Sequence, residues 1–174
     1  MKQSIIILAI VASLFRGISS FPAENHSIAF EIPRELVEQL IKDINANRNN
    51  FRLSEKDLEI LHKNLKYELR DLNGDSTQEF LLHIDHSDWC GAGGNCSYWV
   101  YQKLGGGYKL LLEDKGLNVR HKFTNGYRDI ESRVPMGFCA INVQRFWVTL
   151  YKYYGGRYQS VSYADRCISF VPKR

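Results

Sequence analysis

No apolar run in this chain is long enough to cross a bilayer, which takes about 20 such residues in a helix, so no helical membrane span is expected. A basic stripe is missing too. The densest cationic spot, Arg120-His121-Lys122, is too short to follow a phosphate backbone, so nucleic acid is not an expected partner. No Gly-x-Ser-x-Gly, P-loop or dinucleotide fingerprint occurs. Gly91-Ala92-Gly93-Gly94 lies between two cysteines instead of between a strand and a helix. Cysteine is scarce, and of its four copies only Cys90 and Cys96 are close together, whereas a zinc site of four thiolates needs two close pairs.

What the chain does have begins with an export signal. Lys2 precedes the apolar segment from Ile5 to Phe15, and Gly17-Ile18-Ser19-Ser20 supplies small residues for cleavage. Residues 1–20 are expected to be removed, residues 21–32 to form an extended arm and residues 33–174 to form one domain. Basic side chains number 23 against 19 acidic ones; losing Lys2 and Arg16 takes the net charge from +4 to +2. That balance suits a secreted or periplasmic monomer with no lasting membrane anchor. In an oxidising compartment Cys90, Cys96, Cys139 and Cys167 read as disulfides. Three connectivities are open, and Cys90–Cys96 with Cys139–Cys167 is preferred because each closes a local loop. Chain entropy gives about 2.4 and about 3.6 kcal/mol for the two bridges.

Leu36, Val37, Leu40, Ile41 and Ile44 recur at helical spacing after Pro33, which predicts a helix over residues 34–45. Ser54 and Asp57 form a capping-box signature, with Leu58, Leu61 and Leu65 as the stripe of a second helix. From Lys66 the period becomes two. Strands are expected around 66–70, 80–84, 98–103, 108–113, 117–122, 127–132, 145–152 and 157–163, several joined at glycine turns. Helices followed by strands predict an α+β fold, two N-terminal helices packed on a mostly antiparallel sheet of consecutive hairpins.

Between the first two strands lies Asp71-Leu72-Asn73-Gly74-Asp75-Ser76-Thr77-Gln78-Glu79. Asp71, Asn73 and Asp75 offer side-chain oxygens at alternate positions, Thr77 a backbone carbonyl and Glu79 a carboxylate, a donor set of the hard oxygens calcium takes. The competing reading is a plain type I′ turn at Asn73-Gly74, which needs no metal. The stretch resembles the Asp-x-Asn-Gly-Asp-x-x-x-Glu calcium loop of FG-GAP and VCBS-type repeats, with Ser76 where a glycine often stands. With Cys90-Gly91-x-Gly93-Gly94-x-Cys96 and Gly126-Tyr127-Arg128-Asp129, it also resembles a family of small exported bacterial proteins of mostly unknown role. The loop resemblance implies calcium; the family resemblance implies a secreted or periplasmic single domain and no particular activity.

His83, Asp85, His86 and Asp88 form a second polar cluster, read mainly as a sheet face and its loop. Aromatic residues exceed what one sheet face requires, and Trp89, Tyr98 and Trp99 around the cystine loop are the expected binding surface. The leading functional expectation is an exported recognition protein with a protein or glycan partner. A cell-wall or glycan-directed hydrolase is the rival, built on Glu79 with Asp71 or Asp75, or on the His83 cluster. An inhibitor or immunity protein is a third reading.

Overall fold

Two helices precede eight strands in a computed structural model that describes residues 31–47, 52–91 and 95–169. The expected signal segment, residues 21–30 of the expected arm and Ala92–Gly94 of the cystine loop lie outside the described residues. From Ile32 onward the described chain belongs to one compact unit.

Helix α1 (Arg34–Asn47) buries Leu36, Leu40 and Ile44, spaced four apart along one face. Helix α2 (Glu55–Asn64) starts at the predicted capping box: Ser54 Oγ accepts from the Asp57 amide, and the Asp57 carboxylate accepts from the Ser54 amide. The chain passes directly from α2 into the first strand.

The strands are β1 (Leu65–Arg70), β2 (Glu79–Ile84), β3 (Ser97–Leu104), β4 (Gly107–Lys115), β5 (Leu117–Thr124), β6 (Tyr127–Ala140), β7 (Val143–Tyr154) and β8 (Arg157–Ser169). Within each sheet every strand pairs antiparallel with its sequence neighbours, as expected from the hairpin signals, and only β4 and β5 do not pair. They form two four-stranded sheets, β1-β2-β3-β4 and β5-β6-β7-β8, where a single sheet was expected. The class is α+β, mostly sheet.

The break between the sheets falls at Gly116. Its φ is +56°, and a Cβ there would collide with the carbonyl oxygen of Arg133. The Arg133 amide donates to the Gly116 carbonyl at 3.0 Å, and the Ser132 hydroxyl donates to the Lys115 carbonyl at 2.7 Å, so the corner is tied on both sides.

Because residues in a strand alternate between faces, the first sheet presents two apolar faces. Leu82, Ile84, Trp99 and Tyr101 pack against Leu36, Leu40, Ile44 and Leu61 of the helices. Leu81, Val100 and Leu112 face the second sheet, where they meet Ile130 and Tyr158. Leu111 joins them through a bulge opposite Val100 and Tyr101. Burying one such side chain fully contributes about 1.5–3 kcal/mol.

This double covering corrects one expectation. Trp99 is fully buried and Trp89 is 9% exposed, the two rings meeting edge to face at 6.4 Å. They are core, not a binding surface; Tyr98, on the opposite face of β3, stays half-buried.

The strands of the second sheet run past their predicted ends. β6 continues past residue 132 through Pro135 and Gly137 by bulges and turns at Ile141-Asn142 into β7. The resulting three-stranded extension carries the Cys139–Cys167 bridge, and Cys90–Cys96 closes the loop before β3, which is the preferred connectivity. Large apolar exposure gathers on that extension, at Met136, Phe138, Ile141, Trp147 and Tyr163.

Candidate functional site

The sheet face that packs on the second sheet is not covered along its whole length. Towards β1 the apolar side chains give way to Glu68 and Arg70, and β5 crosses opposite them. Between lies a groove of about 550 Å³, within the range of ligand sites, about 300–1,000 Å³. One wall is Glu68, Arg70, His83 and Tyr98; the other includes Arg120, His121 and Arg128. The alternation that sends Trp99 into the core therefore sends Tyr98 into the groove.

His83 and Tyr98 are directly opposite on β2 and β3, and their rings stack 4.9 Å apart. Burial, with the Lys66 ammonium nearby, holds the His83 imidazole below its ordinary pKa, against the opposing pull of Asp85 and Glu68. Its Nδ1 is buried without a hydrogen-bond partner. The Tyr98 phenol is pushed up, first by burial and then by Glu68 and Asp85.

The carboxylates of the groove already have partners. Glu68 accepts from Arg70 at 2.9 Å. The buried Glu131 of β6 takes both Arg120, at 2.8 Å, and Arg133, at 2.5 Å, so two guanidiniums share one carboxylate. Arg128 rests its guanidinium 4.6 Å above the Phe123 ring and directs Nε to the Asp71 carbonyl oxygen at 3.4 Å. No ion pair to a carboxylate forms at Arg128 among the described residues.

The acidic loop forms the rim of this groove at Asp71 and Gln78. It is not a type I′ turn, which needs positive φ at both central residues. Gly74 has φ +76° and Ser76 +68°, while Asn73 does not reach that region. Side chains close the loop instead. Asp71 accepts from the amides of Gly74 at 2.6 Å and Ser76 at 3.2 Å; Asn73 accepts from Asp75 at 3.1 Å, and Asp75 from Thr77 at 2.6 Å. The Thr77 amide, with Asn73, holds the Asp75 carboxyl below its usual range.

Glu79 differs from the rest. It is fully buried, its Oε2 accepting from the Leu72 amide at 2.8 Å, with Gln102 Nε2 at 3.5 Å from Oε1. Burial raises its pKa, the Leu72 hydrogen bond opposes that, and the charges of Asp75 and Asp71 raise it further. Arg70, the cation nearest in sequence, is turned to Glu68. Among the described residues no group of three His, Cys, Asp or Glu side chains converges to hold a metal ion. The donor chemistry of Asp71, Asn73, Asp75, Thr77 and Glu79 suits calcium, but as arranged their carboxylates serve the loop's own amides.

The His83 cluster does not assemble. Asp85 pairs with Lys66, Asp88 pairs with Lys56 at 3.0 Å, and His86 Nδ1 accepts from the Asp88 amide at 3.2 Å. Only His83 reaches the groove. The contributions of Arg120, His121 and Arg128 had no local signal in the sequence, because they reach the site through the packing of one sheet on the other.

No family, curated protein or solved structure matches the chain. The likeness of the acidic loop to calcium loops therefore rests on its own nine residues. No helix among the described residues is long and apolar enough to cross a membrane, and the two disulfides fit an oxidising compartment.

Proposed function

We propose that this chain is an exported recognition protein that holds a protein or glycan ligand in the groove between its two sheets. The observation that carries the reading is the composition of that groove: a concave space walled by both sheets, a stacked His83–Tyr98 pair, and an arginine with no carboxylate of its own. A hydrolytic reading is less well supported, since a general acid and base must reach substrate. Glu79 is fully buried, and Asp85 and Asp88 are tied to lysines.

Calcium on the acidic loop is a companion proposal. Its support is the uncompensated proximity of Glu79, Asp75 and Asp71, and Asp71, Asn73, Asp75, Thr77 and Glu79 would hold the ion. Its place at the rim would stiffen one side of the groove.

The recognition reading is tested by amide NMR of the secreted, oxidised chain titrated with fractions of extracellular glycan and protein. Shifts centred on His83, Tyr98, Leu117–His121 and Arg128, reduced by Tyr98→Ala, are the expected result. A ligand whose shifts map to the β6–β8 extension and ignore Tyr98→Ala would overturn it.

A further inference from the structure

We propose that the groove takes an acidic glycan, its carboxylate or sulfate gripped by Arg128 and Arg120 and its sugar ring laid along Tyr98. This rests on the groove being the recognition site and names the class of ligand.

Charge is the first argument. Around the groove Glu68 is paired with Arg70 and Glu131 with two arginines at once, while the Asp71 carboxylate has its oxygens turned to the amides of Gly74 and Ser76. The cations are not all neutralised. Arg128 sits 4.6 Å above the Phe123 ring with its Nε directed at the Asp71 carbonyl oxygen and no carboxylate partner among the described residues, and Arg120 shares its carboxylate with Arg133. The planar fork of a guanidinium is matched to the paired oxygens of a carboxylate or sulfate, which it binds through two parallel hydrogen bonds.

The second argument is the lining. Glu68, Gln78, Asn118 and the Tyr98 hydroxyl supply donors and acceptors along a concave surface, the mixture a polyhydroxylated ligand requires. The buried Nδ1 of His83 is a further polar atom still without a partner on that wall. A protein partner anchors on large apolar or aromatic side chains seated at the centre of the contact. Here the apolar part of the lining is aliphatic (Leu69, Leu81, Leu117 and Val119), and the large exposed side chains Met136, Phe138, Ile141 and Trp147 are placed on the β6–β8 extension, outside it. Tyr98 alone offers an aromatic body with a polar tip inside it.

The test is calorimetric titration of the secreted, oxidised chain with four probes: hexagalacturonate, a sulfated heparin hexasaccharide, cellohexaose and hexaglutamate. The expected result is binding of one acidic glycan, weakening as salt is raised and falling about ten- to a hundredfold in Arg128→Gln. Arg120→Gln, which leaves Glu131 paired with Arg133, gives the same direction and guards against misfolding of the first variant. Arg145→Gln, on the extension, leaves affinity unchanged. The uronate and sulfate arms separate the two sources of the anion. Equal binding of cellohexaose, lost in Tyr98→Ala, would overturn the acidic-glycan claim and leave the groove as the recognition site. Preferred binding of hexaglutamate would replace the glycan by an acidic peptide. No heat with any probe, or binding insensitive to both arginine variants and to Tyr98→Ala, would overturn the glycan claim together with the groove reading.

Discussion

Glu79→Gln isolates the charge of the one acid in the loop that is shut away from water. The substitution keeps the volume and leaves a carbonyl oxygen to accept from the Leu72 amide, whose bond to Glu79 is 2.8 Å long. Exchanging a charged acceptor for a neutral one costs about 1 kcal/mol. Against this, the amide needs no desolvation as an ion and is not repelled by Asp71 or Asp75. The two effects are of similar size, so at neutral pH the variant should stay within about 1 kcal/mol of the parent, roughly 2–4 °C in melting temperature. The pH dependence is sharper. Burial raises the folded-state pKa of Glu79 above its unfolded value of about 4.3. Its contribution is therefore fully present below that value and is lost as pH rises through the folded pKa. The melting temperature of Glu79→Gln relative to the parent should climb across that window and then level. Circular dichroism melts from pH 4 to pH 8 in chelator measure it, and a flat or falling difference would refute the argument. Adding calcium at about 100 times its Kd should raise the parent by about 2.7 kcal/mol and leave Glu79→Gln largely unmoved. A parent that does not respond removes calcium from the account and leaves the pH claim standing.

The remaining predictions concern the core and the groove. Trp99→Ala should cost about 3–5 kcal/mol, a large share of a stability of about 5–15 kcal/mol; a urea midpoint close to the parent's would contradict its full burial. Tyr101→Phe removes the 2.8 Å bond from its hydroxyl to Asp43, which joins β3 to α1, and should lower stability by about 1 kcal/mol. A double-mutant cycle with Asp43→Asn should then give a coupling of that order, and zero coupling would count against the contact. His83 is held neutral by burial, so its contribution is present above its unfolded pKa of about 6.5 and is lost as pH falls through the depressed folded value. His83→Gln should flatten the melting curve against pH in that interval, and an unchanged profile would show that the imidazole is not held as described.

The helices were legible because their signals are local. Ser54 and Asp57 lie three residues apart, and Leu36, Leu40 and Ile44 repeat every four. The β3–β4 and β7–β8 turns were legible for the same reason, since glycine permits them. Trp99 and Trp89 were misread because period two names two faces without saying what covers each. Both lie on the face that the helices cover, with Leu36, Leu40, Ile44 and Leu61. The extension was not foreseen because β6 passes Pro135 and Gly137 by register shifts that break the simple alternation of a strand. The groove was invisible for a different reason. Arg128 and His83 are 45 positions apart in the chain, and only the fold over Gly116 sets β5 and β6 against β2.

The strict neighbour-to-neighbour order of both sheets bears on how such a chain matures. A polypeptide emerging N-terminus first completes its first sheet before the last strands appear, since no strand waits for a distant partner to pair with. Its cysteines match that schedule: the partners are 6 and 28 residues apart, so each thiol meets its mate within the same half of the protein. Oxidation as the chain emerges would then favour the native bridges, and scrambled isomers, which must link one sheet to the other, would be the late and rare products.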